Sequence, residues 1–168
     1  RGPRSRARAA RKPTASAPHL GALLKLLSSR NNRNLWGALK AIETVAPLRP
    51  GEIAASLDAV LAAADRSSVI AKDAAIGILV ALAAAGQAVA VLPVLFSRLE
   101  TAAPNQFPTY AEAIAAVVDA AHRPRLVEIV TSRQWYFKNG GRDQELREVF
   151  LARGRELRWH PPFMRQRY

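Results

Sequence analysis

The stretch from Ser67 to Leu99 is the most apolar part of the chain and constrains its fold more than any other. From Ala74 to Phe96 its only strongly polar side chain is Gln87, and apolar runs of this length are typical of membrane-spanning helices. However, alanine is the commonest residue here and contributes little to membrane transfer, and Gly86 and Pro93 interrupt the run. We therefore predict two buried helices of a soluble helical protein, with a membrane-associated protein as the alternative.

Charge divides the chain into three parts. Residues 1–34 hold nine Lys/Arg and no Asp/Glu, residues 35–122 hold five against eight, and residues 123–168 hold eleven against five, for a net charge of +12. Basic ends on a nearly neutral middle are typical of chains that contact phosphate or another polyanion. The absence of cysteine excludes disulfides and thiolate metal sites.

The composition predicts a central domain and two extensions. Residues 1–17 are predicted to be a basic disordered or extended arm, residues 18–158 a helical-repeat domain, and residues 159–168 a basic aromatic tail. An Arg-, Ala- and Ser-rich start without acids has the composition of an organellar transit peptide or its remnant. We therefore predict a mitochondrial location, with a cytoplasmic one as the alternative; a nucleic-acid-binding arm, a bacterial basic tail and the start of a fragment would look the same.

Apolar periodicity predicts an all-α fold of about eight helices and no strands. Ser67 or Ser68 is expected to cap the fourth helix, and Gly86 to end it. Pro93 is expected in the first turn of the fifth helix. The predicted helices begin near residues 18, 35, 50, 68, 91, 109, 124 and 143.

Two further patterns concern how these helices start and repeat. Thr109 and Glu112 have capping-box spacing for the sixth helix. Residues 41–46, 78–83 and 116–121 read AIETVA, ILVALA and AVVDAA, at offsets of 37 and 38. A helical hairpin cannot bury its own apolar stripe, so repeated hairpins are expected to stack side by side as a short α-solenoid. The alternative is an irregular helical bundle.

The phrases that carry this repeat resemble a known class of protein. ALxAIxxVxP…IAASLDAVLAA at 38–63 and AIGILVALAAAG…AVLPVLFSRL at 75–99 resemble HEAT-like α-solenoids. More narrowly, they are similar to the octotricopeptide and heptatricopeptide repeats of organellar RNA-associated proteins, over about residues 20–135. The resemblance implies RNA binding along a concave face or a place in an organellar ribosome.

No catalytic or metal-binding motif stands out. His19, His122 and His160 are scattered, and none has a partner at metal-ligand spacing. The chain has no nucleophile elbow, phosphate-binding loop or dinucleotide fingerprint. We therefore expect no enzymatic activity, no metal and no cofactor.

Basic residues interleaved with aromatics give the clearest functional signal. The segments 133–142 and 158–168 mix cations with aromatic rings, as in proteins that contact phosphates and stack on unpaired bases. A hydrophobic plug is the alternative for Trp135 to Phe137. The predicted nucleic-acid-binding residues are Arg4, Arg6, Arg8, Arg11, Lys12, Arg30, Arg33, Lys138, Arg142, Arg158, Trp159, Arg165 and Arg167.

Together these features predict a non-enzymatic RNA-binding scaffold, in its most concrete form a component of a mitochondrial ribosome or related ribonucleoprotein. Its partners would be RNA, predicted to be ribosomal, and neighbouring proteins of the assembly; no small-molecule substrate and no membrane are expected. The alternative is a protein-binding adaptor that holds a partner helix in the groove between helix pairs and uses its basic ends for assembly contacts.

Overall fold

The computed structural model describes residues 16–132, which fold into α-helices joined by short connections, with no strand among them. The all-α prediction is confirmed. A short 3₁₀ turn, Ala17–His19, precedes the first helix. The helices are α1 Leu20–Leu26, α2 Asn32–Val45, α3 Pro50–Ala55, α4 Leu57–Asp65, α5 Val69–Leu82, α6 Ala88–Glu100, α7 Phe107–Ala115 and α8 Arg123–Ser132.

Helix α5 lies at the centre of the described fold, where it contacts α2, α4, α6 and α7. Neighbours on several sides require apolar residues around most of its circumference. The residues that α5 buries accordingly come from more than one face: Ala71, Ala74, Ala75, Ile76, Ile78, Leu79 and Leu82. The apolar run is therefore the core of this part of the protein.

A break between α5 and α6 divides the apolar run. Val69–Glu100 is long and apolar enough to cross a membrane by length and composition alone. Within it, Ala83–Gln87 forms a π-helical segment in which Ala85 and Gly86 leave helical geometry, with Gly86 at φ +93°. This left-handed conformation suits glycine because it has no Cβ, and α6 packs against α5 after the break. The predicted two helices with a stop at Gly86 are confirmed.

The first two helices follow their sequence signals closely. Leu20 and Leu27 of the predicted apolar stripe are buried, and Leu23 and Leu24 are partly buried. The side chain of Asn31 accepts a hydrogen bond of 2.9 Å from the backbone N–H of Arg33, which satisfies one of the free donors at the start of α2. The apolar spacing predicts a stripe on α2 formed by Leu35, Leu39, Ile42, Val45 and Trp36. The four aliphatic residues are fully buried, and Trp36 is partly buried.

Three boundary predictions are wrong. The third predicted helix is interrupted at Ser56, whose φ of −107° and ψ of 13° separate α3 from α4. Pro93 lies inside α6 and not in its first turn, because α6 already begins at Ala88, directly after the break. Thr109 lies within α7, which begins at Phe107, so the predicted capping box does not form at the helix start.

The serine cap of α5 is confirmed in position only. Ser68 is the N-cap residue, but its side chain makes no capping hydrogen bond. The hydroxyl oxygens of Ser67 and Ser68 are buried without a hydrogen-bond partner. Such unsatisfied groups cost stability relative to a capped start.

Two hydrogen bonds join residues that are 39 and 37 positions apart in the sequence. Arg66 donates a hydrogen bond to the carbonyl of Leu27, 39 residues earlier, and Tyr110 bonds Asp73, 37 residues earlier. The separation of 37 residues equals the first predicted repeat offset and the separation of 39 does not, so the repeat stays a prediction. The stacking of such units into a solenoid stays a prediction, and the predicted eighth helix from Asp143 lies outside the described residues.

Candidate functional site

Most of the predicted nucleic-acid-binding residues lie outside the described part of the chain. Arg30 and Arg33 are described and exposed, Arg30 in the connection between α1 and α2 and Arg33 in the first turn of α2. Neither forms an ion pair with any of residues 16–132. The remainder lie outside residues 16–132: Arg4, Arg6, Arg8, Arg11, Lys12, Lys138, Arg142, Arg158, Trp159, Arg165 and Arg167.

The described helices are close to neutral. Residues 16–132 contain ten Lys/Arg and nine Asp/Glu, so they account for +1 of the net charge of +12, and the flanking residues account for +11. Several of the ten cations are also paired, as Lys40 is with Glu43 and Arg49 with Glu52. The electrostatic attraction of this chain for a polyanion therefore belongs mainly to its ends.

A polar cleft that the sequence analysis did not predict lies between α4, α5, α6 and α7. It has a volume of about 280 Å³. Its buried apolar part includes Ala75, Ile76 and Leu79 of α5. Its polar lining comprises Asp65, Lys72, Arg98, Thr101, Gln106 and Tyr110.

An ion pair forms one side of this cleft. The guanidinium of Arg98 binds both carboxylate oxygens of Asp65, with Nη2 2.7 Å from Oδ2, and thereby joins the ends of α4 and α6. This contact holds the pKa of Asp65 below its usual value, and the charge of Lys72 acts in the same direction. Both carboxylate oxygens of Asp65 are thus engaged by Arg98.

A hydrogen-bonded triangle forms another side. The hydroxyl of Tyr110 donates to Oδ1 of Asp73, and Nε2 of Gln106 donates to both of these oxygens; all three distances are 2.7 Å. Burial, with the nearby Asp73 carboxylate, raises the pKa of Tyr110 well above its usual range. The triangle fixes α7 against α5 and keeps the Tyr110 side chain in its neutral form.

Two polar groups of the cleft keep binding capacity. The side chain of Lys72 is exposed, and its ammonium group forms no hydrogen bond or ion pair with any described residue. The side-chain nitrogen Nε2 of Gln106 donates both of its hydrogen bonds, whereas the side-chain oxygen Oε1 accepts none within residues 16–132. The cleft therefore combines a free cation and a free acceptor with an apolar floor.

The sequence contained one signal for this cleft. Asp65 and Arg98, like Asp73 and Gln106, are separated by 33 residues, and Asp73 and Tyr110 by 37. Only the separation of Asp73 and Tyr110 lies within the 37 to 38 residues of the predicted repeat. The adjacent cations and aromatics on which the predicted site depends do not indicate this cleft.

No metal site forms among residues 16–132, where no three His, Asp or Glu side chains come together as ligands. Asp119 and His122 are paired with each other: Oδ1 of Asp119 accepts from the backbone N–H of His122 at 2.8 Å and lies 2.7 Å from its Nδ1. These contacts lower the pKa of Asp119. Asp119 thus stabilises the turn before α8.

Comparison with known proteins gives one recurrent relationship. A segment of 42 residues, 25% of this chain, is 64% identical to valine–tRNA ligase of Salinispora tropica and to that of Thermobifida fusca, and 60% identical to that of Cutibacterium acnes. The chain spans about 5% of the length of these ligases. No family model matches the chain, and no solved structure matches it.

This finding corrects the predicted function. The similarity points to a segment related to a tRNA ligase, and nothing in the comparisons supports a ribosomal component, a scaffold or an adaptor. The matching proteins are enzymes, but a match over 25% of this chain and 5% of each ligase does not establish enzymatic activity.

Proposed function

We propose that this chain binds tRNA and does not by itself attach an amino acid to it. The 42-residue similarity to valine–tRNA ligases from several organisms, at 60–64% identity, is the observation that carries the proposal. A segment equal to 5% of a ligase is too small to supply both a complete active site and its supporting fold. Such a segment can still contact tRNA without the catalytic machinery of a ligase, so we propose tRNA binding alone.

The charge distribution supports a polyanionic ligand. The ends contribute +11 and the helices of residues 16–132 contribute +1, so contacts with RNA phosphates would come mainly from the ends. In the described helices, the segment from Ser16 to Ile42 contains Lys25, Arg30, Arg33 and Lys40 and no acidic residue. This part of the helical body is the one best suited to extend a phosphate contact made by the ends.

Binding of the full chain to folded tRNA transcripts across a salt series tests the proposal. A transcript that accepts valine, a second tRNA and a single-stranded RNA of equal length serve as ligands. We expect tighter binding to tRNA than to the single strand and an affinity that falls steeply with salt. Equal affinity for all three RNAs, or no binding at low salt, would refute tRNA recognition.

Paired variants locate the contact. Replacing Arg4, Arg6, Arg8, Arg11 and Lys12 by glutamine should lower the slope of log affinity against log salt by up to about 4 if all five contact phosphates. In the helical body, Arg33→Gln removes an exposed arginine without an ion pair, and Arg49→Gln removes an exposed arginine paired with Glu52. We expect the first to weaken binding more than the second.

A charging assay tests the second half of the proposal. The full chain, incubated with ATP, valine and the valine-accepting transcript, should form no valyl-tRNA. A full-length valine–tRNA ligase is the positive control. Formation of valyl-tRNA by this chain would show that it is an enzyme.

A further inference from the structure

The connection between α1 and α2 lies against the connection between α4 and α5. Arg66, directly after α4, donates a hydrogen bond from Nη2 to the carbonyl oxygen of Leu27, directly after α1. The last carbonyls of a helix have no partner within the helix, so a basic side chain at this point satisfies one of them and complements the helix dipole. Two parts of the chain that are 39 residues apart thus meet at one edge of the helical body.

Four cations belong to this edge, which we call the basic edge: Lys25, Arg30, Arg33 and Arg66. All four are exposed, and none forms an ion pair with any of residues 16–132. The cations that do bind an acidic side chain lie outside the basic edge: Lys40, Arg49, Arg98 and Arg125. Unpaired positive charge is therefore concentrated where the two connections meet.

The acidic residues closest in sequence to Arg66 are engaged by other helices. Both carboxylate oxygens of Asp65 are bound by Arg98 of α6. The carboxylate of Asp73 accepts the hydroxyl hydrogen of Tyr110 of α7. Neither carboxylate neutralises a cation of the basic edge.

The helical body is electrically polarised. Residues 16–43 and 65–73, with their acidic residues counted, carry a net charge of +3, and the remaining residues of 16–132 carry −2. A polyanion therefore meets a favourable potential at the basic edge and an unfavourable one over the rest of the described body. The opposite end of α5, at the break Ala83–Gln87, is distant from the basic edge, because the 14 residues of α5 span about 20 Å.

We infer that the basic edge is a second RNA-binding surface of this chain, at which Arg30, Arg33 and Arg66 contact phosphates. The inference rests on the proposed tRNA binding and adds to it a contact in the helical body and a fixed orientation of that body on the RNA. The guanidinium of Arg66 has five N–H donors and gives one of them to the carbonyl at the end of α1, so the others can bind phosphate oxygens. The exposed amides of Asn32 and Asn34 can bond the sugar–phosphate backbone beside it. Phosphate contacts carry no sequence information, so this surface positions the RNA and does not select it.

Photo-crosslinking of the full chain to the valine-accepting tRNA transcript tests the orientation. The photoreactive residue p-benzoylphenylalanine replaces either Asn32, which is exposed at the basic edge, or Val89, which is exposed directly after the break at the other end of α5. Because the length of α5 holds these two ends of the body about 20 Å apart, we expect at least about fivefold more crosslinked tRNA from position 32 than from position 89.

The salt dependence of tRNA affinity tests the role of Arg66. Arg66→Gln should lower the slope of log affinity against log salt by about 0.7–0.9, the value for one phosphate contact, and Arg66→Lys should retain the slope because it keeps the charge. Arg125→Gln removes an exposed arginine that is paired with Glu100 and Glu128, and it should change the slope by less than about 0.3. Circular dichroism verifies that each variant is folded.

The outcomes separate this inference from the proposed function. Absence of tRNA binding by the unaltered chain at low salt would refute both. If tRNA binds, but positions 32 and 89 crosslink equally or Arg66→Gln and Arg125→Gln change the slope equally, tRNA binding by the ends stands and the basic edge is refuted. Crosslinking of position 32 to polyglutamate and not to tRNA would assign the basic edge to an acidic protein instead.

Discussion

Removing the Tyr110 hydroxyl should measurably destabilise the helical body. In Tyr110→Phe, Asp73 loses the hydrogen bond from the tyrosine hydroxyl and keeps the one from Gln106. A hydrogen bond to a charged acceptor contributes about 1.5–3 kcal/mol. Because the Asp73 carboxylate is exposed and water can replace the lost donor, we expect a loss near the lower end, about 1.5 kcal/mol.

Urea unfolding followed by circular dichroism measures this loss. Tyr110→Phe should lower the midpoint without changing the slope m, because the same surface is exposed on unfolding. In an Asp73→Ala background the same substitution should cost about 1 kcal/mol less, since the acceptor is already gone. A cost below about 0.5 kcal/mol, or an equal cost in both backgrounds, would show that the triangle does not stabilise the fold.

The wild type and Tyr110→Phe should also differ in how their stability changes at alkaline pH. Burial is the main reason why the pKa of Tyr110 is raised in the folded protein. Its contribution to the free energy of unfolding is therefore fully present below the pKa of an unfolded tyrosine, about 10. That contribution is lost as the pH rises above this value. Between pH 10 and 11 the wild type should lose up to about 1 kcal/mol more than Tyr110→Phe. The difference between the two proteins is the readout, because it cancels the titration of lysines common to both.

Three further perturbations follow from the described helices. Gly37 is exposed inside α2 and has open space where a Cβ would lie, so Gly37→Ala should stabilise the protein by about 0.5–1 kcal/mol in urea unfolding. Gly86 has a φ of +93°, which disfavours residues with a Cβ, so Gly86→Ala should destabilise the protein by about 1 kcal/mol. Arg98→Gln should lower the free energy of unfolding by about 0.5–1 kcal/mol at pH 7. Because Arg98 lowers the pKa of Asp65 in the folded protein, the stability of the wild type should fall more steeply than that of the variant as the pH drops below about 4. Leu95→Ala, in the fully buried core, should cost about 3–5 kcal/mol and lower the thermal midpoint accordingly.

Local signals predicted the helices because each acts within one turn of chain. Gly86 adopts the positive φ that ends α5, and Asn31 caps α2 through its own side chain. The apolar stripe of α2 is buried as expected, because its spacing alone decides which face meets α5.

The wrong boundaries arose where two local signals competed. Proline favours the first turn of a helix, but the positive φ of Gly86 starts α6 at Ala88, so Pro93 falls inside the helix. Thr109 and Glu112 have the spacing of a capping box, yet α7 begins two residues before Thr109, at Phe107, which is fully buried. Burial of Phe107 in the core outweighs the small free energy of a cap.

The cleft could not be predicted in the same way, because its groups are far apart in sequence. Asp65 and Arg98 meet only after α4, α5 and α6 have packed. In the sequence, Asp65 and Arg98 each stand beside other polar residues at a helix end, where exposed charges are common. Their separation of 33 residues differs from the predicted repeat of 37 to 38, so the repeat did not indicate them either.

The division of charge has a physical consequence for any RNA contact. Acidic and basic residues nearly balance within residues 16–132, and pairs such as Arg98 with Asp65 and Arg125 with Glu128 consume part of the positive charge. Beyond one Debye length, about 8 Å at physiological salt, such paired charges exert little attraction on a phosphate. A tRNA held by the unbalanced ends would therefore be released by salt, and its affinity should fall as the ionic strength rises.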